Sequence, residues 1–283
     1  MVIFPNCKIN LGLRVLRKRE DGFHNLETVF YPAMVRDILE IIENNDRKAG
    51  EKWLLDSENI RFNQTGLAVD GKAEHNLCIK AYYLLKNDFP YLPAIQMHLH
   101  KAIPLGAGLG GGSADGAFAL RLLNEKFHLD ISTEQLVDYA AALGSDCPFF
   151  IINNPCLATG RGEQLQPLSL DLSRFSWLFV SPGIHINTSW AFSTITPSAP
   201  VLSLNEIIQQ PVENWKDQLI NDFEKPVFNQ YPEIKKIKEK LYNRGALYAA
   251  MTGSGSSVFA LFSKNEVPEN LFPEKDYRIH RII

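Results

Sequence analysis

Residues 106–112 of this chain read Gly-Ala-Gly-Leu-Gly-Gly-Gly, five glycines in seven. Glycine gives up more backbone freedom on folding than any other residue, so such a run needs a reason. Its flanks supply one. Ile95, Met97 and Leu99 alternate with Gln96, His98 and His100, the pattern of a half-buried strand over 95–103 that Pro104 ends. Residues 113–125 carry Ala114, Ala117, Phe118, Leu120, Leu122 and Leu123, a helix apolar over most of its surface and therefore central. In a strand, glycine loop and helix, successive backbone N–H groups can line a concave nest beside the positive end of the helix. A polyphosphate fits both features. The bland alternative is a plain flexible turn, but turns rarely need so many glycines.

Three kinds of phosphate binder can be compared with this loop. Gly106 and Gly111 have the spacing of a Walker loop, but Gly112 stands where its Lys belongs. Gly106, Gly108 and Gly111 match the dinucleotide fingerprint. The acidic residue it wants about 20 positions on would be Glu125 or Asp130, in a stretch that does not read as a strand end. A nicotinamide-dependent oxidoreductase is thus a minor rival. The His-Arg-Asp and Asp-Phe-Gly signatures of a protein kinase are absent from the sequence.

Composition sets the class. The chain has 283 residues, of which 45% are apolar and 22% charged, ordinary values for a globular protein. At ~150 residues per domain this is one large domain or two modest ones. The net charge is −3, so no broad field draws nucleic acid or acidic lipid. Cys7, Cys78, Cys147 and Cys156 include no Cys-x-x-Cys pair, and reduced thiols in a cytoplasmic setting are expected. Residues 1–8 are interrupted by Pro5 and Asn6 and do not read as a signal peptide. No run of about 18 apolar residues predicts a membrane span.

Elsewhere, strand-like and helix-like stretches alternate, which predicts a mixed α and β architecture. Ile9, Leu11, Leu13 and Val15 alternate with Lys8, Asn10, Gly12 and Arg14, so residues 8–15 form a strand with Lys8 and Asn10 on its polar face. Asn76 can cap a helix over 77–87, and Ser132 with Gln135 makes a capping box for one that stops at Gly144. Ser145-Asp146-Cys147-Pro148 reads as a loop, and Phe149–Ile152 as an apolar strand. Residues 198–211, with Pro200 and Pro211, read as loop. Ile234, Ile237 and Leu241 mark a helix stopping at Gly245, and residues 247–251 and 258–262 are strand-like. A domain boundary is placed near residue 155.

Phosphoryl transfer needs charge cancellation and an aimed acceptor, which a Lys and a carboxylate can supply. Lys8 is either a surface charge or that cation; Asp146 is either a turn residue or that carboxylate. Ser113 can cap the helix, touch phosphate or help hold magnesium. Thr252-Gly253-Ser254-Gly255-Ser256-Ser257 is either an ordinary turn or a second nest facing the first. Phe23 and His24, beside a turn, either pack on the core or stack on and hydrogen-bond a nucleobase.

Together these stretches resemble the GHMP kinase superfamily, whose three motifs are matched in order: Pro5–Asn10, Pro104–Ala114 and Thr252–Ala260. Within it, Asp21–Phe30, Gly144–Phe150 and Ala158–Glu163 are similar to the members that phosphorylate a cytidine-diphospho sugar alcohol. The likeness covers nearly the whole chain and is thinnest between about 195 and 220. It implies an α+β, two-domain GHMP kinase-like fold, with a ribosomal-S5-like N-terminal domain, a ferredoxin-like C-terminal domain and the active site in the cleft between them. The ATP-binding, catalytic part would be 1–155 and the substrate-binding part 156–283. The implied reaction is ATP-dependent phosphorylation of the acceptor's 2-hydroxyl, with Mg2+, in the non-mevalonate route to isoprenoid precursors. Homoserine- or mevalonate-type kinases and a catalytically silent nucleotide-binding regulator are the alternatives. No tightly bound cofactor, nucleic acid or membrane partner is expected.

Carried over by position, Lys8 and Asp146 match the family's catalytic pair. Pro104, Leu105, Gly106, Ala107, Gly108, Leu109, Gly110, Gly111, Gly112, Ser113 and Ala114 match its ATP loop. Asn10 would contact the substrate. Phe23 and His24 match the cytosine site, with Phe192 as the second stacking ring and Trp190 as its substitute. Ser113 is the magnesium candidate. Two positions depart from the family pattern: Phe23 stands where many members have Tyr, and Gly116 where Ala is usual.

Overall fold

Period-two patterning builds the first half of the chain into sheets, and a computed structural model gives residues 1–44, 52–68, 71–198, 202–273 and 276–282. In chain order the elements begin with β1 (Val2–Ile3), β2 (Asn6–Lys18), β3 (His24–Arg36), β4 (Ile38–Glu43), β5 (Leu55–Asp56), β6 (Ile60–Gly66), α1 (Leu77–Asp88) and β7 (Ile95–Lys101). Next come α2 (Gly111–Phe127), α3 (Thr133–Leu143), α4 (Cys147–Ile152), β8 (Cys156–Thr159), β9 (Gln164–Pro167) and β10 (Ser176–Ser181). The chain continues with α5 (Thr188–Ser193), α6 (Leu204–Ile208), α7 (Glu224–Gln230), α8 (Pro232–Tyr242), β11 (Tyr248–Met251), β12 (Val258–Phe262) and β13 (Arg278–Ile282). No helix among the described residues is long and apolar enough to cross a membrane.

The structure divides into two units. The first comprises Met1–Cys7, Met34–Leu105 and Gly110–Asn153; the second comprises Lys8–Ala33, Gly106–Leu109 and Asn154–Ile283. One passage between units, from Asn153 to Asn154, falls beside the boundary expected near residue 155; others fall after Cys7, Ala33, Leu105 and Leu109.

The first unit holds a five-stranded sheet in the order β1-β4-β7-β6-β5. Only β6 and β7 run parallel in it. A dinucleotide fold needs a doubly wound parallel sheet, so this topology removes the oxidoreductase reading. Helices α1, α2, α3 and α4 pack on one another. Asn76 caps α1 by accepting from the Cys78 amide, and the Ser132–Gln135 capping box opens α3. Gly116 is where α1 and α2 meet: a Cβ there would lie 2.7 Å from the Leu77 Cβ, so the unusual glycine permits close helix contact.

The second unit holds two four-stranded sheets, β11-β12-β10-β13 and β2-β3-β8-β9. The first of these is antiparallel throughout and packs through Leu178, Val180, Met251, Val258 and Ala260 against Val227, Ile234, Ile237 and Leu241. The last three are the stripe that marked α8 in the sequence.

Two expectations are corrected. Residues 149–152 are not a strand but belong to helix α4, with Pro148 in its first turn. Four consecutive apolar residues carry no periodicity, whereas a proline with preset φ opens a helix. Residues 198–211 are not all loop either: α6 forms over Leu204–Ile208 behind a Ser203–Glu206 capping box. Pro200 lies outside the described residues.

Candidate active site

The polar face of β2 is not a solvated one. Lys8 and Asn10 are buried. A buried polar group must find partners, and here they come from both glycine-rich stretches. Lys8 Nζ donates to Asn10 Oδ1 (3.1 Å) and lies 4.0 Å from the centre of the Phe30 ring, a cation–π contact. The Lys8 amide donates to the Leu109 carbonyl (2.9 Å). The Asn10 amide donates to Thr252 Oγ1 (3.1 Å), whose hydroxyl donates to the Gly108 carbonyl (3.0 Å). Asn10 Nδ2 donates to Thr28 Oγ1 (2.9 Å).

Within the second unit, then, β2 holds the first half of the glycine loop and the Thr252–Ser257 turn side by side. Gly108 carries the contact: it has φ +77°, and a Cβ there would come 2.0 Å from the Thr252 carbonyl oxygen. Both the left-handed backbone and the close approach require glycine. The Ser257 amide donates to the Ala107 carbonyl (3.1 Å), and Asn221 Nδ2 donates to the carbonyls of Met251 and Gly253 (2.8 Å each). Residues 252–257 thus lie against the first half of the glycine loop.

The second half of the loop belongs to the first unit. Gly110, left-handed at φ 68°, precedes α2, and no side chain caps the helix. The helix begins at Gly111, so Ser113 lies inside its first turn and does not cap it. Ser113 instead hydrogen-bonds Cys147, whose thiol burial pushes up to about 11. Ser113 is thereby placed against the start of α4, where half-buried Asp146 occupies the N-cap position. Lys8 falls in the second unit and Asp146 in the first.

Sequence reasoning missed the support beneath α2. Lys101 Nζ donates to Asp115 Oδ2 (2.7 Å) and to Asp37, and all three side chains are buried. Asp37 Oδ1 also accepts from the amides of Ala102 (2.6 Å) and Ile103 (2.8 Å), at the end of β7. Burial pushes the Asp115 carboxyl well above the usual carboxylate range; Lys101 opposes that shift and Asp37 adds to it. The signal was there. Lys101 continues the inward series Ile95, Met97, Leu99, and Asp115 interrupts the apolar helix. Thr28 and Phe30 were missed as well, although both share a face of β3.

At the predicted cytosine site, His24 stacks on Phe192, with ring centres 5.1 Å apart at 18°, and Phe192 meets Phe223 edge-on at 4.9 Å. Phe23 is more than half exposed, with the Arg161 guanidinium 5.0 Å from its ring centre. Trp190 packs edge-on against Tyr231 instead. The structure therefore brings together Lys8 with Asn10 and His24 with Phe192, and sets Phe23 on the neighbouring turn. Among the described residues no three His, Cys, Asp or Glu side chains cluster as metal ligands.

Known proteins are similar to this chain in sequence and fold. The family model for the GHMP kinases N terminal domain matches residues 76–154, and that for the GHMP kinases C terminal region matches residues 204–272. The chain is 53% identical over 266 residues to the 4-diphosphocytidyl-2-C-methyl-D-erythritol kinase of Bacteroides fragilis, covering 94% of this chain and 93% of that one. It is 51% identical to the protein of the same name from Parabacteroides distasonis, covering 93% and 92%. A crystal structure of 4-(cytidine 5'-diphospho)-2C-methyl-D-erythritol kinase superposes with a TM-score of 0.83 at 28% identity, over 99% of this chain and 98% of that one. A mevalonate kinase structure, at 13% identity and a TM-score of 0.70 over 99% and 98%, shares the fold alone. With two GHMP kinase domains and relatives this similar along almost its whole length, the chain belongs to the GHMP kinases, in the branch of the 4-diphosphocytidyl-2-C-methyl-D-erythritol kinases.

Proposed function

We propose that this kinase uses Lys8 and Asp146 to transfer the γ-phosphoryl group of ATP to the 2-hydroxyl of 4-diphosphocytidyl-2-C-methyl-D-erythritol, giving the 2-phosphate and ADP for isoprenoid precursor synthesis. The substrate follows from the relatives' name and from the identity to them. The observation that carries the chemistry is the buried network of Lys8, Asn10, Thr252 and Gly108, which ties a cation to two glycine-rich stretches.

Asp146 orients the acceptor hydroxyl and takes its proton as the oxygen attacks. General base action is typically worth ~10²–10⁴-fold, so positioning must supply much of the rest. Lys8 offsets the charge that gathers on the transferring group. The loop from Pro104 to Ala114 holds the triphosphate through its amides and the first turn of α2. Ser113, in that first turn, would offer a hydroxyl ligand to magnesium, which would supply neutralisation of phosphate charge. Asn10 contacts the acceptor, while Phe23, His24 and Phe192 bind its cytosine. On this reading residues 1–155 carry nucleotide binding, catalysis and the acceptor contacts of Asn10, Phe23 and His24, and residues 156–283 add Phe192 to the acceptor site.

Purified protein should release ADP from magnesium ATP only when the cytidylyl acceptor is present. Asp146→Asn should abolish nearly all turnover and leave ATP affinity, read by calorimetry, within a few-fold. Turnover on homoserine or mevalonate, but not on the cytidylyl acceptor, would overturn the substrate assignment.

A further inference from the structure

The segment from Ile184 to Thr188 has no part in the reaction described above, yet it is fastened to one glycine-rich stretch of the second unit and lies beside the other. Ser256 Oγ donates to the Ile184 carbonyl (2.5 Å), and the hydroxyls of Thr188 and Ser254 lie 3.1 Å apart. Ile186 is buried, and a Cβ on Gly255 would come 2.8 Å from its Cδ1. These contacts run the segment along the Thr252–Ser257 turn. His185, between the two anchored isoleucines, reaches the other stretch. A Cβ built on Gly106 would fall 2.7 Å from its Nδ1, so this glycine leaves the room in which the imidazole sits.

His185 is exposed, and among the described residues its ring nitrogens have no hydrogen-bond partner. A solvent-facing imidazole with no fold-internal partner does little for stability. Fixed against Gly106, it stands where a phosphate held by the loop would meet it. An imidazole N–H is a donor suited to phosphate oxygen.

We propose that His185 is a further binding residue of this kinase, donating a hydrogen bond to a phosphate group held by Gly106–Leu109 and Thr252–Ser257. The inference rests on the functional reading above. The phosphate belongs either to the nucleotide or to the diphosphate of the acceptor, and the two arms of the test separate them.

Wild type, His185→Ala and His185→Gln are titrated calorimetrically with a non-hydrolysable ATP analogue and with cytidine diphosphate, and assayed for turnover. His185→Ala should weaken one of the two ligands about tenfold or more, the scale of losing a hydrogen bond to a charged group. The other ligand should bind as before, and His185→Gln, which keeps an N–H donor, should recover most of the loss. Weakened ATP analogue assigns the contact to the nucleotide; weakened cytidine diphosphate assigns it to the acceptor. Unchanged binding of both ligands by His185→Ala would overturn the inference, as would a loss that His185→Gln does not relieve. Wild-type protein that binds both ligands but turns over no cytidylyl acceptor would overturn the functional reading instead, and the binding arms would still decide His185.

Discussion

Phe192 has one face against His24 and an edge against Phe223. At 5.1 Å between centres, its stack with His24 has no room for a third ring. A cytosine that stacks on Phe192 must therefore take the place of the imidazole or use another part of the ring. Base–aromatic stacking is worth roughly 1–3 kcal/mol. Phe192→Ala should accordingly raise the KM for the cytidylyl acceptor about tenfold or more, with the KM for ATP little changed, as steady-state kinetics would measure. A ring that only fills the core would lower the melting temperature without separating the two KM values. The ring itself was singled out through the resemblance to the GHMP kinases. Its stacking on His24 was not, because a contact between residues 24 and 192 leaves no local pattern.

At the scale of elements, the buried ion cluster beneath α2 is the feature to test. Asp37 comes from the bend between β3 and β4, Lys101 from the end of β7, and Asp115 from α2. Together they set the two ends between which the glycine loop is strung. Lys101→Met leaves two buried carboxyls without their cation, at a cost of roughly 3–5 kcal/mol, and the melting temperature should fall by many degrees. Asp115 gives a pH test. Its carboxyl keeps its proton in the folded chain at pH values where the unfolded chain has lost it. Its contribution is thus complete below the ordinary carboxylate range and drains away as pH rises through the raised folded value. Urea unfolding of Asp115→Asn should show a flatter loss of stability above about pH 4 than the native chain. Strands and helices with a repeating pattern or a cap were readable: β2, β7, α1 and α3 stand where the alternation and the capping residues put them. What escaped was short or aperiodic. Residues 149–152 gave no period, and the capping box of α6 was hidden among prolines. The burial of Lys8 and Asn10 was hidden too, because alternation separates the faces of a strand without saying what covers each.

Across the whole molecule, the four cysteines are free and buried. Burial pushes Cys7 up to about 12 and Cys147 and Cys156 up to about 11, so these thiols stay protonated at neutral pH and are poor nucleophiles. The native chain should resist alkylation by iodoacetamide at pH 8, and all four sites should label, by mass spectrometry, once urea unfolds it. Rapid modification of Cys147 in the native protein would contradict its burial beside Ser113.

The sheet β2-β3-β8-β9 joins the start of the chain to residues 156–167, through pairs such as Thr28 with Ala158 and Phe30 with Cys156. A gene severed after codon 155 would split that sheet down its middle. The amino-terminal product would keep the lysine and the glycine loop, yet bare a line of unclaimed amides and carbonyls along β3. Such a raw edge invites pairing with its own copies, so the two halves of this sequence are not modules that evolution or an engineer could shuffle independently.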